Sequence, residues 1–198
     1  MNGNSRLNPA NLLTLARILT VPVVVLLLYA PDGSDISFSR SLGAVVLFTV
    51  SAFTDLFDGY IARRYAMVTT LGKLLDPLAD KLLICAAMVM LIPSGRVPAW
   101  MVVIIVGREI GVTALRGAAS TEGFVIAASS LGKAKTILLS IGVGALILNY
   151  PVFGVDIHLL GMLFLVAGLV LTAWSGMDYF LRFVGEIFKK GGGQSPTG

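Results

Sequence analysis

The chain has 198 residues, of which 56% are hydrophobic and only 13% charged, with a mean hydropathy of +0.88. Soluble domains run about 45–50% apolar and about 25% charged, so this balance excludes an ordinary soluble fold and predicts an all-α integral membrane protein. The net charge of +4 does not imply a nucleic-acid partner, because membrane proteins gather Lys and Arg on their cytoplasmic side. Cys85, the single cysteine, makes no intrachain disulfide.

A membrane span needs about 20 mostly apolar residues, and six segments qualify, near 9–30, 40–63, 73–93, 98–119, 133–150 and 156–182. The first opens on Asn8-Pro9, a helix-start signal, and carries Pro22 as an internal kink. It lacks the pattern of a cleaved signal peptide, since Asn11, Thr14 and Arg17 interrupt its apolar run. Turns are expected at 29–35, 92–98 and 149–156, where Pro, Gly, Asn and Asp cluster. Residues 117–131 are too polar to span well and read as an interfacial loop or short helix. These segments predict one six-helix domain over residues 1–189 and a flexible tail over 190–198. In this topology 13 of the 15 Lys and Arg residues fall on one side, with Arg40 and Arg96 on the other. Both termini are therefore expected in the cytoplasm.

The second and third spans carry the chemistry. Asp55, Asp58, Gly59 and Ala62 follow one another at helical spacing along one stripe, and Gly72, Asp76 and Asp80 along another. The short connection makes the two helices antiparallel, so the acidic stripes can face each other just below the cytoplasmic surface. An acid inside a membrane span costs roughly 2.5–3.5 kcal/mol on insertion scales and marks function by default. Four adjacent carboxylates cannot all ionise without cations. Pairing with Arg63, Arg64, Lys73 and Lys81 is the plain alternative, but an all-oxygen donor set suits two hard divalent ions, Mg²⁺ or Mn²⁺. Gly59 and Gly72 would let a phosphate approach the backbone.

A second charged group lies deeper in the chain. Arg108 falls near the middle of the fourth span, with Glu109 beside it to orient or pair with it, and Arg116 two turns nearer the cytoplasm. With Lys133 and Lys135 at the start of the fifth, these residues form a candidate cationic pocket for a dianionic phosphate. Elsewhere, Trp100, Trp174, Tyr150 and Tyr179 fit interfacial belts, and Gly142, Gly144, Gly161 and Gly168 fit helix packing. His158, the only histidine, lies at the far end from these groups.

The spacing Asp55-x2-Asp58-Gly59-x2-Ala62-Arg63-x8-Gly72-x3-Asp76-x3-Asp80 resembles the complete signature of the CDP-alcohol phosphotransferases. The stretches "NLLTLAR" (11–17), "GREIGVTALR" (107–116) and "GKAKT" (132–136) resemble the bacterial branch of that family that makes phosphatidylglycerophosphate. The resemblance implies the six-helix fold of that family, a homodimer, and a site open to the cytoplasm in the bacterial inner membrane. It also implies transfer of a phosphatidyl group from CDP-diacylglycerol to sn-glycerol 3-phosphate, with release of CMP. By the same resemblance Asp55, Asp58, Asp76 and Asp80 would hold the metals, and Asp80 would act as general base. Gly59, Ala62, Arg63 and Gly72 would line the CDP-diacylglycerol pocket. Thr14 and Arg17 are candidates for that pocket or the acceptor's, and Arg108, Arg116, Lys133 and Lys135 for the acceptor's phosphate. Inositol phosphate is the rival acceptor, and a divalent-cation transporter is the rival of another class.

Overall fold

A computed structural model describes residues 9–65, 81–122, 124, 131–152 and 154–192; within its helices the side chains of residues 9–15, 55–65, 131, 133 and 189–192 lie outside that description. Among the described residues six helices follow in order: α1 (Pro9–Leu28), α2 (Phe38–Tyr65), α3 (described over Lys81–Met90), α4 (Ala99–Thr121), α5 (Leu131–Leu148) and α6 (Ile157–Gly192). The described β structure is a single bridge between Val152 and Val155. The first, second, fourth, fifth and sixth expected segments are observed as helices, and of the third, expected at 73–93, residues 73–80 lie outside the described residues. Among the described residues one stretch, Ile157–Phe188 of α6, is long and apolar enough to cross a membrane on its own. Among the described residues the regular structure is helical apart from that bridge.

Local signals explain where the helices begin and end. Pro9 opens α1, where its missing N–H costs nothing. Pro22 lies inside the same helix. Asp156 caps α6, its Oδ1 accepting the Leu159 N–H at 3.1 Å. Asn149 ends α5 with φ of +50°, and its N–H returns to the Ala145 carbonyl at 2.9 Å. His158 Nδ1 lies 2.7 Å from Asn149 Oδ1 and so ties this turn to α6.

The helices pack through small residues. A Cβ on Gly142 would stand 2.8 Å from the Leu165 nitrogen, and one on Gly168 would stand 2.7 Å from Leu139 Cδ2. A Cβ on Gly161 would meet Leu146 Cγ at 2.8 Å. These three glycines let α5 and α6 approach more closely than any side chain permits, as in membrane helix pairs. The core between the helices is apolar, with Val24, Leu28, Phe48, Leu91, Ile105, Leu146 and Leu165 buried. Large apolar side chains also cover the outside, Leu26, Ile110 and Trp174 among them. Such a surface suits lipid rather than water.

One end of the bundle is fastened by a buried guanidinium. Arg96 is 2% exposed and donates to Ser41 Oγ at 3.1 Å, to the Ile147 carbonyl at 2.7 Å and to the Ile36 carbonyl at 3.1 Å. Its Nη2 also reaches Asp35 Oδ1 at 2.7 Å. The cation therefore sits at the carbonyl end of α5, where the helix dipole favours it, and joins that end to the start of α2. Arg40 closes the same end, donating to the carbonyls of Leu27 at 3.0 Å and Tyr29 at 2.5 Å. Both cations expected on the far side lie together there.

Candidate active site

Near the middle of the bundle, α3, α4 and α5 bring three cations to one carboxylate. Glu109 of α4 accepts a hydrogen bond from Arg108 Nη1 at 3.0 Å and another from Lys135 Nζ of α5. Lys81 Nζ of α3 lies 3.6 Å from its other oxygen. Lys81 also donates to Thr113 Oγ1 at 2.8 Å, and that hydroxyl donates to the Glu109 carbonyl at 2.7 Å, one helical turn back. Arg108 uses its remaining arm on α6, where Nη2 donates to Ser175 Oγ at 2.9 Å. Lys135 is buried, and Arg108 and Glu109 are nearly so. An ion pair this far from water is strong only when all its members are matched. Among the described residues one carboxylate faces three cations.

Of the four residues expected to hold the acceptor's phosphate, Arg108 and Lys135 are brought together through Glu109. Arg116 is placed apart: its guanidinium lies 5.9 Å from the centre of the Tyr179 ring, on α6, a cation–π arrangement. Eight residues of helix separate it from Arg108, about 12 Å. Tyr179 is buried beneath it, so the belt position expected for this tyrosine is corrected; Arg116 covers the ring that was expected to meet headgroups. Trp100 and Trp174 are exposed. Lys133 lies in α5, with its side chain outside the described residues. Three further participants, Lys81, Ser175 and Gly176, were not anticipated as site residues. Lys81 follows Asp80 directly, which was a usable signal; the Ser-Gly pair carries no charge to draw attention.

The acidic stripe is described in part. Asp55, Asp58, Gly59, Ala62 and Arg63 all lie in the continuous helix α2, so the helical spacing assigned to them holds for the backbone; their side chains lie outside the described residues. Gly72, Asp76 and Asp80 lie outside them altogether, as does the side chain of Thr14. Arg17 is buried in α1. The helix register sets the depth of the α2 stripe. Phe48 of α2 packs against Gly144 of α5, and the two helices run in opposite directions, because Arg96 joins the start of one to the end of the other. From that contact Asp55 and Asp58 lie about 10 and 15 Å along α2, and Lys135 about 13 Å along α5 in the same direction. The two aspartates bracket the level of the cationic cluster.

Among the described residues no three His, Cys, Asp or Glu side chains gather as a metal site. The donor chemistry of the Asp55, Asp58, Asp76 and Asp80 set, carboxylate oxygens alone, fits hard divalent cations.

The sequence profile of the CDP-alcohol phosphatidyltransferase family matches residues 7–174. The chain belongs to this family. A Bacillus subtilis CDP-diacylglycerol–glycerol-3-phosphate 3-phosphatidyltransferase is 39% identical over 182 residues, covering 88% of this chain and 94% of its own. A Mycobacterium tuberculosis protein named as a probable phosphatidylglycerophosphate synthase is 40% identical over 186 residues, covering 93% and 86% respectively. A Rickettsia typhi protein with the same name as the first is 38% identical over 174 residues, covering 87% and 95%. This CDP-alcohol phosphatidyltransferase therefore matches its relatives along nearly their whole lengths.

Proposed function

We propose that the protein transfers a phosphatidyl group from CDP-diacylglycerol to sn-glycerol 3-phosphate, forming phosphatidylglycerophosphate and releasing CMP. The convergence of Lys81, Arg108 and Lys135 on the shared carboxylate of Glu109 carries this reading. Cations gathered in this way suit an acceptor bearing a dianionic phosphate, and a neutral alcohol would not need them. A divalent-cation transporter would have little need of Arg108 and Lys135 held together beside its acids.

In this reading Arg108 and Lys135, with Lys81 beside them, hold the acceptor's phosphate; Arg116 and Lys133 attract it from the cytoplasmic side. Gly59, Ala62, Arg63 and Gly72 line the CDP-diacylglycerol pocket, with Thr14 and Arg17 at its edge. Asp55, Asp58, Asp76 and Asp80 hold two divalent ions, Mg²⁺ or Mn²⁺, which would neutralise the diphosphate and the departing CMP. Asp80 takes the proton from the acceptor's hydroxyl as its oxygen bonds to the phosphorus bearing the diacylglycerol. The phosphorus–oxygen bond to CMP then breaks. Fixing the phosphate of the acceptor some distance from its reacting hydroxyl turns binding energy into orientation.

The unit is one six-helix domain over residues 1–189, followed by the tail. It sits in the bacterial inner membrane as a homodimer, with both termini and the site facing the cytoplasm. The skew of Lys and Arg and the apolar outer surface support this topology.

The test is CMP release by purified protein in detergent, supplied with CDP-diacylglycerol, a divalent ion and a panel of acceptors. Release with glycerol 3-phosphate, matched by phosphatidylglycerophosphate formation, is expected. Release with inositol phosphate alone would change the acceptor, and metal uptake into vesicles without CMP release would overturn the reading.

A further inference from the structure

Arg108 is held on two sides by different helices. Its Nη1 meets Glu109 Oε1 of its own helix at 3.0 Å, and its Nη2 meets Ser175 Oγ of α6 at 2.9 Å. Ser175 is itself fixed, donating its hydroxyl hydrogen to the Thr172 carbonyl at 3.2 Å. It therefore presents a lone pair to the guanidinium. The next residue is Gly176, and a Cβ there would stand 2.9 Å from Arg108 Cγ and 3.4 Å from its Nε. Arg108 Nε is buried with no hydrogen-bond acceptor among the described residues, pressed against this bare stretch of helix. The contact falls on the root of the side chain, not its flexible end, so an added methyl would force the whole arginine into another rotamer.

We infer that Ser175 and Gly176 of α6 are positioning residues that aim the Arg108 guanidinium at the acceptor's phosphate. The inference rests on the acceptor assignment above. A planar guanidinium binds phosphate well only when its fork is oriented. With one bond to Glu109 and one to Ser175, each terminal nitrogen of Arg108 keeps a second hydrogen for the anion. Gly176 supplies the slot and Ser175 sets the rotation of the plane. Both residues lie just past residue 174, where the family profile stops matching, so this part of the site is outside the signature that identifies the family.

The test is steady-state kinetics of the purified full chain, varying glycerol 3-phosphate and CDP-diacylglycerol separately. Gly176→Ala should raise the KM for glycerol 3-phosphate by roughly 5- to 50-fold and Ser175→Ala by roughly 3- to 10-fold. The KM for CDP-diacylglycerol and kcat should stay within about twofold. Ser175→Thr, which restores a hydroxyl, should recover most of the loss. Gly176→Ala added to Arg108→Gln should cost nothing further, because the residue acts only through that arginine. Ser175→Ala adds no bulk and keeps the test decisive if Gly176→Ala fails to fold. Unchanged acceptor KM in both single variants, or a further loss in the double variant, would overturn the positioning role. Wild-type protein that ignores glycerol 3-phosphate would instead overturn the acceptor assignment.

Discussion

Replacing Glu109 by Gln keeps the size and one acceptor oxygen of the side chain while removing its charge. Glu109 is the one carboxylate that Arg108, Lys135 and Lys81 share among the described residues, and two of the three are mostly buried. Removing one partner of a buried ion pair costs about 3–5 kcal/mol, because the remaining charge stays uncompensated. The retained amide oxygen still accepts one hydrogen bond, and Lys81 is partly exposed. The expected destabilisation is therefore about 2–4 kcal/mol. Melting of the detergent-solubilised protein would read it directly. The loss should narrow when glycerol 3-phosphate is added, since a bound dianion supplies the charge that the variant lacks and stabilises the state that binds it. Aspartate at the same position should recover part of the stability without ligand. A variant that melts with the wild type, or one whose deficit ignores the phosphate compound, would refute the idea that these cations form a single anion site.

The remaining predictions concern other parts of the molecule. Arg96→Met should lower stability by about 3–5 kcal/mol, because carbonyls of α5 and the α1–α2 connection lose their donor; its folded fraction should retain wild-type KM values. The Arg96 hydrogen bond to Asp35 holds that carboxyl below its ordinary value of 3.8. A depressed carboxylate contributes stability above its unfolded pKa and loses it as pH falls through the folded one. Acid melts of the wild type should therefore decline more steeply below about pH 4 than those of Asp35→Asn; parallel curves would count against the pair. Asp80→Asn should cut turnover by roughly 100-fold or more while CDP-diacylglycerol still binds, as measured by equilibrium binding of the labelled lipid. Arg116→Ala should raise the acceptor KM several-fold and leave the cluster intact, so a collapse in melting temperature would mark it as structural.

Helix positions were legible because apolar length is a local property. The fourth span, read at 98–119, is α4 at Ala99–Thr121, and the fifth, read at 133–150, is α5 at Leu131–Leu148. The sixth, expected at 156–182, is α6 at Ile157–Gly192, whose apolar stretch alone extends to Phe188. The glycines of α5 and α6 were also readable, since small residues in apolar helices signal close approach. The pairing of Asp178 with Arg182 is local and is observed at 3.0 Å. What escaped was the contact between helices distant in sequence. Arg108 and Glu109 announce themselves as adjacent charges in an apolar run, but nothing in the chain says that Lys81 and Lys135 come to the same carboxylate. Nor does spacing reveal that Ser175 faces Arg108, or that Tyr179 is buried beneath Arg116.

The most direct measurement is an experimental structure of the protein with manganese, CMP and glycerol 3-phosphate, using anomalous scattering to locate the metal. Manganese peaks among Asp55, Asp58, Asp76 and Asp80, with the acceptor's phosphate against Arg108 and Lys135, are the expected result. Manganese bound elsewhere, or the phosphate seated away from those two cations, would contradict the joining of the acidic helices and the cationic cluster into one catalytic centre.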